Sequence, residues 1–255
     1  MPIIDNDGSN LYYTVKGKGI PIVLIHPPFI TSASFKYQIE ELSKNFKVIA
    51  FDIRGHGRSP FSEVSITYRL IAKDIKHLLD HLGIEKAYLC GYSTGGSVCL
   101  EFLLEYSDRA LGAIIVSGMS EISDSYTKKL IIIATMLAKW GAIPLLGLAI
   151  SWGNSDTMAT FRQLYQEGLK GDKHNIEQYF RCSLTYTCTK QLAMINQPIL
   201  LVYGTKDTTF FQYAKLLHEK LPKSQLELLH QKHQIPTKSA KELNRLIKRF
   251  IQSYE

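Results

Sequence analysis

Cysteine is scarce in this chain. Cys90, Cys99, Cys182 and Cys188 are spread through 255 residues with no C-x-x-C pair and no histidine at metal-ligand spacing. The pattern argues against a zinc module or a disulfide framework, and the four are read as reduced thiols. The opening "MPIIDNDGSN" has no basic region followed by an apolar run and no small-residue cleavage site. No secretory signal is therefore read, and the cytoplasm is the expected location. Internal repeats and low-complexity tracts are missing as well. Thirty basic residues against 23 acidic ones give a net charge of +7, yet no nucleic-acid-binding motif accompanies the excess. Part of it falls on Lys238, Lys241, Arg245 and Lys248, at helical spacing beside an apolar set of Leu243, Leu246, Ile247 and Phe250. Such a pattern describes the solvated face of an amphipathic helix. One segment, "IIIATMLAKWGAIPLLGLAIS" from Ile131 to Ser151, is long enough to raise a membrane span. Lys139 near its middle, with Gly141, Pro144 and Gly147, argues instead for two short helices.

What is present is an ordinary globular balance of 45% hydrophobic and 21% charged residues. Short apolar or β-branched runs at Leu11–Val15, Ile22–Ile25, Lys47–Phe51, Ala87–Cys90, Ala113–Val116, Ile199–Tyr203 and Leu226–Leu229 read as strands. Between many of them lie amphipathic segments such as Tyr68–Leu82, whose apolar residues recur about every 3.6 positions. Alternation of this kind predicts an α/β fold with a mostly parallel sheet, helices on both faces and function at the carboxyl ends of the strands. It lapses between about Glu121 and Asn196, where helical stretches appear without a buried strand. The expected organisation is a core of residues 1–120 and 196–255, interrupted by a helical cap over 121–195. The cap residues Ile131, Ile132, Leu137, Trp140, Leu145 and Leu148 are expected either to line an apolar pocket or to pack the cap onto the core.

The strongest local signal is Gly91-Tyr92-Ser93-Thr94-Gly95-Gly96, which follows the strand "AYLC" and precedes the helix-compatible "SVCLEFLLEY". At average composition a chain of this length holds G-x-S-x-G about 0.07 times by chance. A strand reversing sharply into a helix brings backbones together where side chains on Gly91 and Gly95 would clash, leaving the serine exposed at the strand tip. A serine hydroxyl needs a base oriented by a third group. Downstream, "PILLVYGTKD" puts Asp207 after one strand, and "LELLHQKHQIP" puts His230 and His233 at the end of the next. His230 continues the strand, whereas His233 lies in the following loop with room to reach Ser93, so Ser93, Asp207 and His233 form the candidate triad.

With these residues in place, the chain resembles the α/β-hydrolase fold superfamily, and within it the capped carboxylesterase-like serine hydrolases. The resemblance is carried by the His26 loop, "DIRGHGRS" from Asp52 to Ser59, "GYSTGG", "GTKD" and "HQIP", in that order. It implies a sheet of about eight strands, an inserted helical cap, no metal or organic cofactor, and a supporting rather than catalytic place for Asp52 and Arg54. It also implies an oxyanion hole built from the N–H after the nucleophile, here Thr94, and a second N–H from the loop that begins at His26. That loop usually reads His-Gly-X; here it reads His26-Pro27-Pro28-Phe29, and neither proline can donate. Either the prolines shift the loop by one residue so that the Phe29 N–H is the second donor, or the hole has one donor and the enzyme is slow. The shift is the expected arrangement, in which Phe29→Ala keeps most donor function. The expected partner is a small-molecule ester, with no nucleic acid and no stable membrane insertion. The same triad on a carbon–carbon bond, lactone or amide, or a ligand receptor with slow hydrolysis, are the alternatives.

Overall fold

A computed structural model describes residues 3–6 and 9–254 of the chain. Eight strands, β1 (Ile3–Asn6), β2 (Ser9–Lys16), β3 (Pro21–Ile25), β4 (Lys47–Phe51), β5 (Ala87–Tyr92), β6 (Ala110–Val116), β7 (Ile199–Gly204) and β8 (Ser224–Leu229), form one sheet. Their order is β1-β2-β4-β3-β5-β6-β7-β8. β1 and β2 pair antiparallel, β2 runs antiparallel to β4, and every later pairing is parallel. This is the eight-stranded, mostly parallel sheet read from the sequence, with β1 added at the edge. Its four residues are too few to show a period of their own and take their register from β2, with Ile4 opposite Leu11.

The strands read as continuous apolar runs because both sheet faces are covered. Val23, Ile25, Leu89, Ile115 and Leu201 belong to one core, together with residues of α2 (Tyr68–His81), α3 (Thr94–Glu105) and α8 (Thr208–Lys220). Ile22, Leu24, Tyr88, Cys90, Ile114 and Val202 belong to the other, with α1 (Lys36–Leu42) and α10 (Ala240–Gln252). In α10, Leu243, Leu246, Ile247 and Phe250 are buried as expected, while Lys241, Arg245 and Lys248 border an open groove of about 1280 Å³ against α1. Ser239 breaks the last helical stretch, leaving Ile235–Lys238 as a separate turn, α9. All four cysteines are free thiols.

Between β6 and β7 the chain forms α4 (Ser125–Lys139), α5 (Ile143–Gly153), α6 (Met158–Gly168) and α7 (Lys173–Thr185). The apolar stretch from Ile131 to Ser151 is thus two helices broken at Trp140–Ala142. Among the described residues, no helix is long and apolar enough to cross a membrane. The inward face of α4 is made of small residues, Thr127, Ala134 and Ala138. Ile132, Trp140, Leu145 and Leu148 instead face solvent, at 38%, 70%, 60% and 45% exposure. This corrects the expectation of a pocket lining or core contact for those four; only Ile131 and Leu137 of the set pack against the core.

The loops that follow β3 and β4 are stitched together by buried polar groups. The His26 Nε2 accepts the Ile53 N–H at 2.9 Å, which leaves the ring proton on Nδ1 to donate to the Pro27 carbonyl at 2.9 Å. Asp52 accepts the Ser32 N–H and hydroxyl on one oxygen and the Arg58 N–H on the other. Arg54 makes a two-pronged contact with Asp74 of α2, each arm 2.7 Å, with both side chains buried. Asp52 and Arg54 therefore act as loop supports. The His56 ring lies 5.5 Å from that of His26 and 5.6 Å from that of Tyr179 of α7, whose hydroxyl donates to the His26 carbonyl at 3.0 Å.

Burial holds both imidazoles neutral, lowering His26 to about 4 and His56 to about 3. Below pH ~6.5 the unfolded chain takes up protons that the folded chain refuses. Stability is then fully present above that pH and falls on acidification, by on the order of 3 kcal/mol for His26 alone by pH ~4. Urea unfolding at stepped pH, with the ring resonances of the two histidines followed by NMR, checks this. The expected result is declining stability while both rings stay neutral in the folded protein; a folded-state titration of either near pH 6.5 contradicts it.

Candidate active site

Ser93 sits between the end of β5 and the start of α3 with φ 54° and ψ −119°, a left-handed backbone that non-glycine residues rarely adopt. Two glycines permit the turn. A Cβ on Gly91 would fall on the Gly95 carbonyl oxygen, and a Cβ on Gly95 on the Ile25 carbonyl oxygen of β3. The sharp reversal therefore depends on the spacing in "GYSTGG" and leaves the Ser93 side chain half-buried rather than sealed in the core.

The structure brings Ser93, His233 and Asp207 together. The His233 Nε2 is 3.1 Å from the Ser93 Oγ, and its Nδ1 is 3.1 Å from the Asp207 Oδ2. Their positions follow from the sheet, since β5, β7 and β8 run parallel and deliver the loops carrying all three to one edge. Asp207 also caps α8, its other oxygen accepting the Phe210 N–H at 3.2 Å. His230 is exposed, and its ring Nδ1 lies 3.4 Å from the Thr205 hydroxyl, outside this group.

Several neighbours were not legible in the sequence. The Phe210 and Tyr92 rings lie 4.1 Å and 5.4 Å from the His233 ring and give it an apolar flank. Ser117, with φ 48°, donates its hydroxyl to the His233 carbonyl at 3.1 Å. The Tyr92 hydroxyl donates to Asn154 at the end of α5, and the Asn154 carbonyl accepts the Thr237 hydroxyl. No local pattern marks these residues; Ser117 and Asn154 stand just past a strand and a helix end, and Tyr92 is the last residue of β5.

The double proline resolves into acceptors. The Pro27 carbonyl takes the His26 ring proton, and the Pro28 carbonyl accepts the Ile30 N–H at 2.9 Å. That second bond closes a γ-turn about Phe29, whose φ of 70° places it in the rare, strained form of this turn. Neither the Phe29 nor the Thr94 N–H has an acceptor among the described residues.

The Phe29 side chain, on which the sequence is silent, has a place of its own. The ring is 0% exposed and wedged between α5 and α6. A Cβ on Gly147 or on Gly168 would collide with it, and Tyr165 closes the slot beside Gly147. The inverted turn is clamped by its own side chain.

A family model described as the alpha/beta hydrolase fold matches residues 20–235. The human serine hydrolase BPHL is 26% identical over 254 residues, covering 96% of this chain and 84% of that protein. A soluble epoxide hydrolase of Corynebacterium sp. (strain C12) is 31% identical over 123 residues, 47% of this chain. The chain spans 43% of that enzyme and 48% of a putative carbamate hydrolase, RutD, from Azorhizobium caulinodans, so such matches cover under half of those relatives. Among solved structures, an esterase from Exiguobacterium antarcticum superposes with a TM-score of 0.87 at 21% identity, covering 96% of this chain and 97% of that one. An enol-lactonase from Burkholderia xenovorans LB400 superposes with a TM-score of 0.89 at 20% identity, covering 98% and 100%. At such identities these two structures speak for the fold alone.

Replacing Phe29 by alanine removes the wedge from its slot. The expected loss of unfolding free energy is about 3–5 kcal/mol, measured by urea denaturation at neutral pH. A loss under about 1 kcal/mol, the scale of a surface substitution, would show that the ring is not a clamp.

Proposed function

The chain belongs to the alpha/beta hydrolase fold family, and on that premise we propose that it is a cofactor-free serine hydrolase cleaving small carboxylic esters through an acyl-enzyme. The observation that carries this reading is the continuous Ser93–His233–Asp207 chain of hydrogen-bond distances at a strained strand-to-helix turn. The likeness to a human serine hydrolase along 96% of the chain supports it.

In this mechanism Asp207 holds the imidazole with its proton on Nδ1, which leaves Nε2 free to accept the Ser93 hydroxyl proton. The Ser93 Oγ attacks the ester carbonyl, and the carbonyl oxygen becomes an anion held by the Thr94 and Phe29 N–H groups. His233 then gives its proton to the departing alcohol. Water repeats the sequence on the acyl-enzyme, with His233 again acting as base, and releases the acid. The aromatic flank of Phe210 and Tyr92 beside His233 favours an apolar acyl or alcohol group. Residues 121–195 serve as the cap above the site, and the cytoplasm is the proposed location.

Steady-state hydrolysis of p-nitrophenyl butyrate, without added metal, tests the proposal. Relative to wild type, the Ser93→Ala variant is expected to lose on the order of 10⁴-fold or more in kcat while remaining folded. Retained turnover in that variant would remove Ser93 as nucleophile, and a folded wild type with negligible turnover on a series of esters would favour the receptor reading.

A further inference from the structure

The helices between β6 and β7 expose more large apolar side chains than packing requires, and they do so on one continuous piece of chain. On α4, Tyr126, Leu130, Ile133 and Met136 are 63%, 48%, 53% and 43% exposed, and Trp140, just past its end, is 70% exposed. Their spacing of three and four residues places them on one side of the helix, opposite buried Ala134 and Ala138. On α5, Leu145, Leu148 and Trp152 repeat the pattern at 60%, 45% and 67%. The two helices pack against each other. Exposed apolar surface on this scale marks an interaction site.

Charge narrows the choice of partner. From Ser125 to Ser155 the chain holds no aspartate or glutamate, but it holds Lys128, Lys129 and Lys139, all exposed. Lys173 of α7 adds a fourth cation beside the α4–α5 turn at Gly141. The nearest acids in sequence are both engaged by hydroxyl or backbone donors, and exposed Asp156 shares a surface pocket with Trp152 at the edge of that face. Asp124 is bound to the Thr127 N–H and the Tyr213 hydroxyl, and Asp156 to the hydroxyls of Tyr37 and Thr160. Two copies of this face meeting about a two-fold axis would set a predominantly cationic patch against its own image. An apolar face bordered by lysines and carrying two exposed tryptophans fits another surface: the headgroup boundary of a lipid bilayer, where indole rings settle and lysines meet anionic phosphates.

We propose that the outer face of α4 and α5 docks on the surface of an anionic phospholipid bilayer. At 15 and 11 residues the helices are about 22 Å and 17 Å long, too short to cross a core that needs about 20 residues. They lie in the interface with Leu130, Ile133, Leu145 and Leu148 turned toward the acyl chains. This docking does not depend on the reaction the triad performs.

The chain carries its own reporter, because Trp140 and Trp152 are its two tryptophans and both lie on this face. Tryptophan emission of the intact protein is followed as vesicles of phosphatidylcholine and phosphatidylglycerol are added at low salt. A repeat uses lipids brominated on the acyl chains, with co-sedimentation alongside. The expected result is a blue shift, quenching by bromine and pelleting with the vesicles, all weakened by high salt. Each of Lys128→Gln, Lys129→Gln and Lys139→Gln is expected to weaken vesicle affinity about five-fold, and Ile133→Asp with Leu148→Asp to abolish it. Unchanged emission with no pelleting overturns the proposal. So does equal binding to phosphatidylcholine alone, and so does a blue shift that grows with protein concentration without vesicles, which marks pairing of copies.

Discussion

The architecture of the site turns on a single inverted residue. Phe29 holds φ at 70° in a γ-turn, a backbone state that costs roughly 1–3 kcal/mol for a residue with a side chain. It persists because the surroundings leave the ring nowhere else to go. Pro28 and the His26-bound Pro27 carbonyl restrict the backbone before it, the Ile30 N–H bonded to the Pro28 carbonyl holds the residue after it, and Gly147 and Gly168 open a slot that the ring fills. The loop after β3, the loop after β4 and the helices between β6 and β7 are thereby one packed unit, with Tyr179 and the two neutral histidines at its centre. In the proposed mechanism this unit aims one of the two N–H groups at the developing oxyanion. The other, that of Thr94, comes with the turn that exposes Ser93.

Much of this was legible in the sequence, and the legible part follows a physical rule. The sheet could be read because its strands are buried on both faces and so appear as unbroken apolar runs, from Ile22–Ile25 to Ile199–Tyr203. The serine turn could be read because backbone crowding at Gly91 and Gly95 excludes side chains, which makes the glycines part of the signal. Asp207 and His233 stand out because parallel strands deliver their following loops to a common edge. The choice of His233 over His230 rested on a reach of three residues; His233 Nε2 lies 3.1 Å from the Ser93 Oγ, and His230 lies beside Thr205.

What could not be read were contacts between segments distant in the chain. Phe29 and Gly147 are separated by more than a hundred residues, and nothing near either announces a wedge and a slot. For the same reason the sequence turned the apolar residues of α4 and α5 inward. Hydrophobicity records that a side chain avoids water, but not which face of a helix meets the core. In α4 the small residues Ala134 and Ala138 take the contact because the helices approach closely there, and the larger side chains are left outside. α5 is divided in the same way. Gly147 meets the Phe29 ring on the inner side, while Leu145, Leu148 and Trp152 face out. One short helix thus joins the Phe29 turn to the face proposed to meet a bilayer.

The account stands or falls on whether that slot sets the position of the Phe29 turn. A methyl group added at Gly147 reaches the ring without touching Ser93, His233 or Asp207, so Gly147→Ala compared with wild type on p-nitrophenyl butyrate is the direct measurement. The expected result is a folded variant in which kcat falls by about ten-fold or more, up to the roughly 10²- to 10³-fold of a lost oxyanion donor, while KM changes little. Adding Phe29→Leu, which shortens the wedge, is expected to restore part of the loss. Unchanged kcat in folded Gly147→Ala, or a loss that only tracks falling stability, would contradict the account.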